Sequence, residues 1–175
     1  MSGGIDSAAC ANFLIDQGHK PRALFVDYGQ AALKRERAAV KSLCAHFTIP
    51  LEVVTVSGVK NFSSGELVGR NAFLILSAVF LAQATSGILA LGIHAGTPYY
   101  DCSPTFVHRM QQLIAEHTSG ELILSVPFLM WRKGDVFEYF TLKHLPVGLT
   151  YSCESGTEPP CGKCASCKDR KALKC

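Results

Sequence analysis

Hydrophobic and polar positions change period several times along this chain, and each change marks an element. Arg22-Ala23-Leu24-Phe25-Val26-Asp27 is an apolar run closing on a polar residue, the pattern of a buried strand. Ala31 to Phe47 follows with charges recurring on one side, which predicts an amphipathic helix. Leu51 to Val56 is β-branched and extended, and Ile88 to Ile93 and Glu121 to Val126 repeat the strand pattern. Further helices are predicted from about Asp6 to Gln17, Asn71 to Thr85, Pro104 to His117 and Lys133 to His144, with Pro104 suited to a first helical turn. Strand and helix in alternation predict an α/β fold: right-handed βαβ units forming a Rossmann-like parallel sheet with helices on both faces. Such sheets bind ligands beyond the carboxyl ends of their strands, where Asp27, His94 and Pro127 fall.

Composition narrows the picture. At 175 residues the chain reads as a single domain over 1–175, with 146–175 as a small appendage rich in Cys, Gly, Pro and Lys. A hydrophobic content of 48% with 18% charged residues excludes a disordered chain. The net charge is only +3, and the basic residues cluster only at Lys34-Arg35-Glu36-Arg37 and from Lys168 to Lys174. No strong nucleic-acid footprint is therefore expected. The longest apolar stretch, Ala72 to Ala84, is too short to span a bilayer, and no charged-then-apolar leader precedes Asp6, so a cytoplasmic location without membrane contact is expected. The apolar face Phe73-Leu76-Phe80 reads either as core or as a surface for a homodimer or protein partner.

Two segments carry chemistry. In Ser2-Gly3-Gly4-Ile5-Asp6-Ser7 the glycines lack Cβ atoms, so backbone can approach an anion closely, and the helix behind them offers N–H groups and a positive dipole end to phosphate. Ser2 and Ser7 add hydroxyls, and Asp6 can cap the helix or position Mg²⁺. The competing reading is a plain helix-capping turn. Without the lysine of GxxxxGK[ST], this is not a Walker loop. A loop of this kind normally follows a central apolar strand; the expectation is a misassigned or truncated start, with Met1 standing for the last residue of that strand, and the alternative is a domain that lacks it.

The second segment is Cys153-x8-Cys161-x2-Cys164-x2-Cys167. Four thiolates at this spacing suit one tetrahedral Zn²⁺ of structural type, since no open position remains. Disulfides or free thiols are the alternatives, and the absence of a secretion signal favours metal.

Together these residues resemble the 7-cyano-7-deazaguanine synthase family of PP-loop, adenine-nucleotide α-hydrolase-like enzymes. The resemblance runs through SGGIDS at 2–7, VDYGQ at 26–30, GRN at 69–71, Asp101-Cys102, and TYSC with PCGKCASC to the C-terminus. It implies an ATP-dependent C–N ligase: 7-carboxy-7-deazaguanine is adenylated, ammonia displaces AMP to give the amide, and a second adenylation drives dehydration to the nitrile. The implied cofactors are ATP, Mg²⁺ and Zn²⁺, and the implied partners are a small deazaguanine and ammonia.

The resemblance also implies residue roles. Ser2, Gly3, Gly4, Asp6 and Ser7 would hold phosphate, with Tyr28 and Gln30 near adenosine or the acceptor. Gly69, Arg70 and Asn71 would lie near the acyl centre, where Arg70 would neutralise a carboxylate or make a surface salt bridge. Asp101 would read the purine-like ring or cap the helix opening near Pro104, and Lys133 would contact phosphate or remain solvated. Asp6, Arg70 and Lys133 are thus the expected catalytic set. One departure stands out: the family usually has an Asn-Ala-Glu-Asp-like loop where this chain has Gly92-Ile93-His94-Ala95-Gly96-Thr97. His94 there reads as a proton shuttle or a packed, hydrogen-bonded histidine. Val56 to Gly69 also looks short. Conjugation of a deazaguanine to a protein or nucleic acid, and a non-catalytic nucleotide-binding module, are the rival readings.

Overall fold

The computed structural model describes residues 1–58, 62 and 65–175, so the segment that reads as short, between Val56 and Gly69, lies partly outside the described residues. The chain divides into two compact units, Met1–Glu66 with Gly134–Cys175, and Leu67–Lys133.

The first unit contains α1 (Ile5–Asp16), β1 (Ala23–Asp27), α2 (Leu33–Phe47) and β2 (Leu51–Thr55). β1 and β2 pair in parallel, Ala23 opposite Leu51 through Asp27 opposite Thr55. Ala23 and Phe25 of β1 bury against Val40 and Cys44 of α2, with Met1, Leu33, Ile49, Leu51 and Val53 around them. Phe25 is 2% exposed, and burying such a ring contributes about 2–3 kcal/mol. Most of α5 (Lys133–Leu142), and α6 (Ala165–Ala172), complete this unit. A polar latch joins α1 to α5: Tyr139 donates to the Asp16 carboxylate at 3.1 Å, and Lys143 pairs with the same carboxylate at 2.8 Å.

The second unit contains α3 (Arg70–Ala82), β3 (Gly87–Ala90), α4 (Pro104–Thr118) and β4 (Leu122–Ser125). β3 and β4 pair in parallel, Gly87 opposite Leu122. Ile75 of α3, Phe106, Met110 and Ile114 of α4, and Leu122 and Leu124 of β4 form its core. Pro104 occupies the first turn of α4, and Ser103 caps it by accepting from the Phe106 N–H at 3.2 Å. On α3, Phe73, Leu76 and Phe80 retain substantial exposure while Ile75 is buried.

The strands and main helices lie where the periodicity places them, within a few residues at their ends, and the pairing is parallel. α6 has no counterpart among the predicted helices. Among the described residues the strands form two pairs, β1 with β2 and β3 with β4, rather than one continuous sheet. Polar side chains also bond to strand groups outside these pairs. Gln30 Nε2 donates to Val26 C=O at 3.2 Å. On β4, the Gln111 amide accepts from the Leu124 N–H and donates to Leu122 C=O.

Candidate functional site

The glycine turn behaves locally as its residue types dictate. Gly3 has φ +82°, and a Cβ there would meet Ala39 Cβ at 2.9 Å and Glu36 C=O at 3.0 Å. Glycine is required at this position because the turn lies directly on α2. Gly4 differs: its φ is −82°, and a Cβ would find only ordinary contacts, Ser2 Oγ and Tyr151 C=O at 3.7 Å and Ser152 Oγ at 3.8 Å. The fold has room for a methyl group at Gly4. Gly4 is the N-cap of α1, its side-chain-free cap leaving the first-turn N–H groups without intrahelical partners. Ser7 Oγ donates to Gly4 C=O at 3.0 Å and accepts from Ser2 Oγ at 3.3 Å, while Asp6 lies in the first turn of α1. A helix N-terminus of this kind offers backbone N–H groups with which an anion could bond.

At the end of β1, Asp27 accepts from the Gly29 N–H at 3.2 Å. Gln30, 9% exposed, accepts from the Tyr28 N–H at 3.0 Å and donates to Val26 C=O and to Glu36. Its amide is engaged within the turn and shapes it. The Tyr28 ring meets Phe62 edge-on at 6.0 Å between centroids.

In the tail, Cys153, Cys161, Cys164 and Cys167 place one sulfur each within 4.8 Å of the others. The Cys161–Cys167 separation is 3.9 Å, against about 3.8 Å expected across an edge of a tetrahedral tetrathiolate zinc centre. Backbone N–H groups of Cys161 and Cys164 point at Cys153 Sγ (3.3 Å) and Cys161 Sγ (3.4 Å). Burial works against ionising Cys153, yet N–H donors from Cys161 and Ser155 outweigh it and hold the thiol down at about 5. The N–H groups of Lys163 and Cys164 pull Cys161 down, whereas burial pushes Cys164 up and Cys167 up to about 12. A divalent cation is the group that would release the remaining protons. The four cysteines therefore fit a metal. The knuckle is seated closely: a Cβ on Gly156 (φ +67°) would lie 2.5 Å from Ala31 C=O.

The sequence does not single out Arg170, and it offers TYSC at 150–153 only as part of the family resemblance. Tyr151 N–H donates to Gly3 C=O at 2.9 Å, so the tail reaches the glycine turn. Arg170 donates through Nε to Ser152 Oγ at 3.2 Å and through Nη2 to Thr150 Oγ1. The available signal was spacing: Arg170 follows Cys167 by three residues on a helix, hence on the same face.

In the second unit, Gly69 is the N-cap of α3 with φ +77°, and Arg70 and Asn71 open the helix. Asp101, from the loop before α4, caps α3 by accepting from the Asn71 N–H at 3.0 Å. Asn71 is 3% exposed and its amide donates to Asp101 C=O at 3.0 Å and to Cys102 Sγ at 3.6 Å. Asp101 thus braces α3, while Ser103 caps α4. Burial and the adjacent Asp101 carboxylate push the Cys102 thiol up, which keeps it protonated. The buried Arg70 Nε has no hydrogen-bond partner among the described residues. His94 Nδ1 lies 2.7 Å from Ala95 C=O. Lys133 is half-buried at the start of α5.

A family model described as "Queuosine biosynthesis protein QueC" matches residues 1–72 and 67–173. The chain belongs to the QueC family. Its relatives include a 7-cyano-7-deazaguanine synthase of Methanoregula boonei, 32% identical over 195 residues, covering 97% of this chain and 89% of the relative. One from Prochlorococcus marinus is 32% identical over 205 residues, covering 99% and 91%. A third, from Desulfotalea psychrophila, is 28% identical over 196 residues, covering 98% and 90%. These alignments are longer than the chain itself, so each QueC-type relative carries residues that this chain lacks. The match also agrees with the α/β fold of parallel strands and helices. No helix among the described residues is long and apolar enough to cross a membrane.

Proposed function

We propose that this chain is an ATP-dependent ligase converting 7-carboxy-7-deazaguanine and ammonia into 7-cyano-7-deazaguanine. The observation that carries this reading is the QueC match running from residue 1 to residue 173, because it takes in both the glycine turn and the cysteine tail. The relatives named as 7-cyano-7-deazaguanine synthases support the same reaction.

The chemistry asks for what the residues offer. A carboxylate is a poor electrophile until one oxygen becomes a leaving group. Attack of that oxygen on the α-phosphorus of ATP expels pyrophosphate. Ammonia then adds to the acyl carbon, loses a proton, and AMP departs to leave the amide. In the second round the amide oxygen is adenylated, and loss of AMP with a proton leaves the nitrile.

Ser2, Gly3, Gly4 and Ser7 hold the phosphates by N–H and O–H donation, which stabilises charge as it develops. Asp6 would hold the Mg²⁺ that accompanies them, which would offset phosphate charge. Tyr28 flanks adenosine, and Gln30 acts by shaping its turn. Arg70 neutralises the substrate carboxylate from a helix start framed by Gly69, Asn71 and Asp101, and Lys133 contacts phosphate. Cys153, Cys161, Cys164 and Cys167 would hold Zn²⁺, which would supply a structural cross-link. The small substrate and ammonia make the enzyme independent of nucleic acid and membrane, with action in the cytoplasm.

Incubation with 7-carboxy-7-deazaguanine, MgATP and ¹⁵N-ammonium, read by mass spectrometry, tests the proposal. The expected product is a labelled nitrile with AMP. A labelled amide alone would limit the enzyme to one adenylation, and neither product from metal-loaded protein would overturn the reading.

A further inference from the structure

We propose that Arg170 is a positioning residue for nucleotide binding, acting through residues 150–152 on the peptide between Gly3 and Gly4. This inference rests on the reading that residues 2–7 hold the phosphates of ATP.

A trans peptide fixes its C=O and N–H in opposite directions. Tyr151 N–H holds Gly3 C=O at 2.9 Å, and the Gly4 N–H is thereby aimed away from the strap and kept in one orientation. Two consecutive glycines otherwise let such a peptide rotate at little steric cost. The strap in turn has little internal reason to stay in place, since Thr150 to Cys153 forms neither helix nor strand.

Arg170 supplies the anchor. Its guanidinium donates to Ser152 Oγ and to Thr150 Oγ1, the hydroxyls on either side of Tyr151. Thr150 is 8% exposed and donates onward to Val147 C=O at 2.7 Å, so this end of the bracket is buried and engaged. The other end reaches the turn directly, with Ser152 Oγ 3.8 Å from where a Cβ of Gly4 would lie. α6 is itself fixed: Cys167 sits one turn before Arg170, and Glu154 accepts from both the N–H and the hydroxyl of Ser166 at 3.0 Å. The knuckle therefore does more than stabilise its own tail. It carries a planar, two-point donor to the strap, a geometry that a lysine ammonium does not reproduce.

The test is equilibrium binding of MgATP to full-length, metal-loaded Arg170→Ala, Arg170→Lys and Ser152→Ala proteins, with melting temperature and metal content measured on each. Arg170→Ala is expected to weaken MgATP binding about tenfold, the equivalent of one lost orienting hydrogen bond. Arg170→Lys should recover only part of this, and Ser152→Ala should weaken binding about threefold to fivefold. Binding of 7-carboxy-7-deazaguanine should stay within about twofold of wild type throughout. MgATP binding within about twofold of wild type in both Arg170→Ala and Ser152→Ala overturns the proposal, as does an equal loss of both ligands. If Arg170→Ala fails to fold, Ser152→Ala decides alone. Should Gly4→Ala also leave MgATP binding unchanged, the phosphate-loop reading itself has failed, which separates the two.

Discussion

The glycine turn in the first unit and the start of α3 in the second are the two places proposed to meet anions, yet they are finished differently. Around the turn, the chain satisfies its own polar groups: Gly3 C=O by Tyr151, Gly4 C=O by Ser7, and Arg170 by two hydroxyls. At α3, Asn71 and Asp101 are fully engaged, but Arg70 Nε is buried without a partner among the described residues. The first region is preorganised and needs no ligand to be comfortable. The second carries the cost of an unmet donor, about 1–3 kcal/mol, which an anionic ligand would relieve.

The contrast is sharpened most by attacking the knuckle. Cys164→Ser is expected to lose the metal and at least about 3 kcal/mol of stability, because metal binding is coupled to folding. Hydrogen exchange should show protection lost in residues 1–66 and 134–175 before 67–133; uniform loss would break the distinction. Acidification should act the same way on metal content, since binding needs thiolates and releases protons, so metal is retained at neutral pH and lost as pH falls.

The paired glycines come next. Gly3→Ala should cost about 2–4 kcal/mol, combining a left-handed backbone with an overpacked contact to Ala39. Gly4→Ala should fold within about 1 kcal/mol of wild type while losing MgATP affinity. Thermal melts and calorimetry on the two variants separate packing from ligand clearance.

For the second region, Arg70→Met should leave apo stability unchanged or raise it by about 1 kcal/mol, since it removes an unmet donor. The KM for 7-carboxy-7-deazaguanine should rise on the order of 100-fold. A large loss of apo stability would place Arg70 among the structural residues and remove the contrast.

The smallest effect belongs to the α1–α5 latch. Lys143 beside Asp16 holds its carboxyl below the ordinary range, so the latch contributes above the unfolded carboxylate value of about 3.9 and fades as pH falls through the lower folded value. Asp16→Asn should therefore give a slightly lower melting temperature at pH 7 and none of that difference near pH 2.

Much of this was legible in the sequence because it depends on period and spacing. Strand positions, the helix behind Gly4 and the cysteine cluster are local patterns. What escaped reading is contact between residues far apart in the chain. Nothing near Asp101 announces that it caps a helix starting at Arg70, and nothing in VDYGQ shows that the Gln30 amide turns back on its own strand. The division into two strand pairs escaped for the same reason, because which strands pair is settled between residues far apart in the chain. α6 is short and highly charged, and four of its eight residues are Lys, Arg or Asp, so it lacks the apolar stripe by which helices are recognised.

Gln111 has a consequence for how this protein behaves in concentrated solution. β4 reads Leu-Ile-Leu-Ser, and Ile123 is 54% exposed, the composition of a segment that recruits copies of itself edge to edge. One amide on α4 occupies the N–H and C=O that such recruitment would use. If this contact guards the edge, Gln111→Leu should leave the fold recognisable while making the protein precipitate, which light scattering on the two proteins checks.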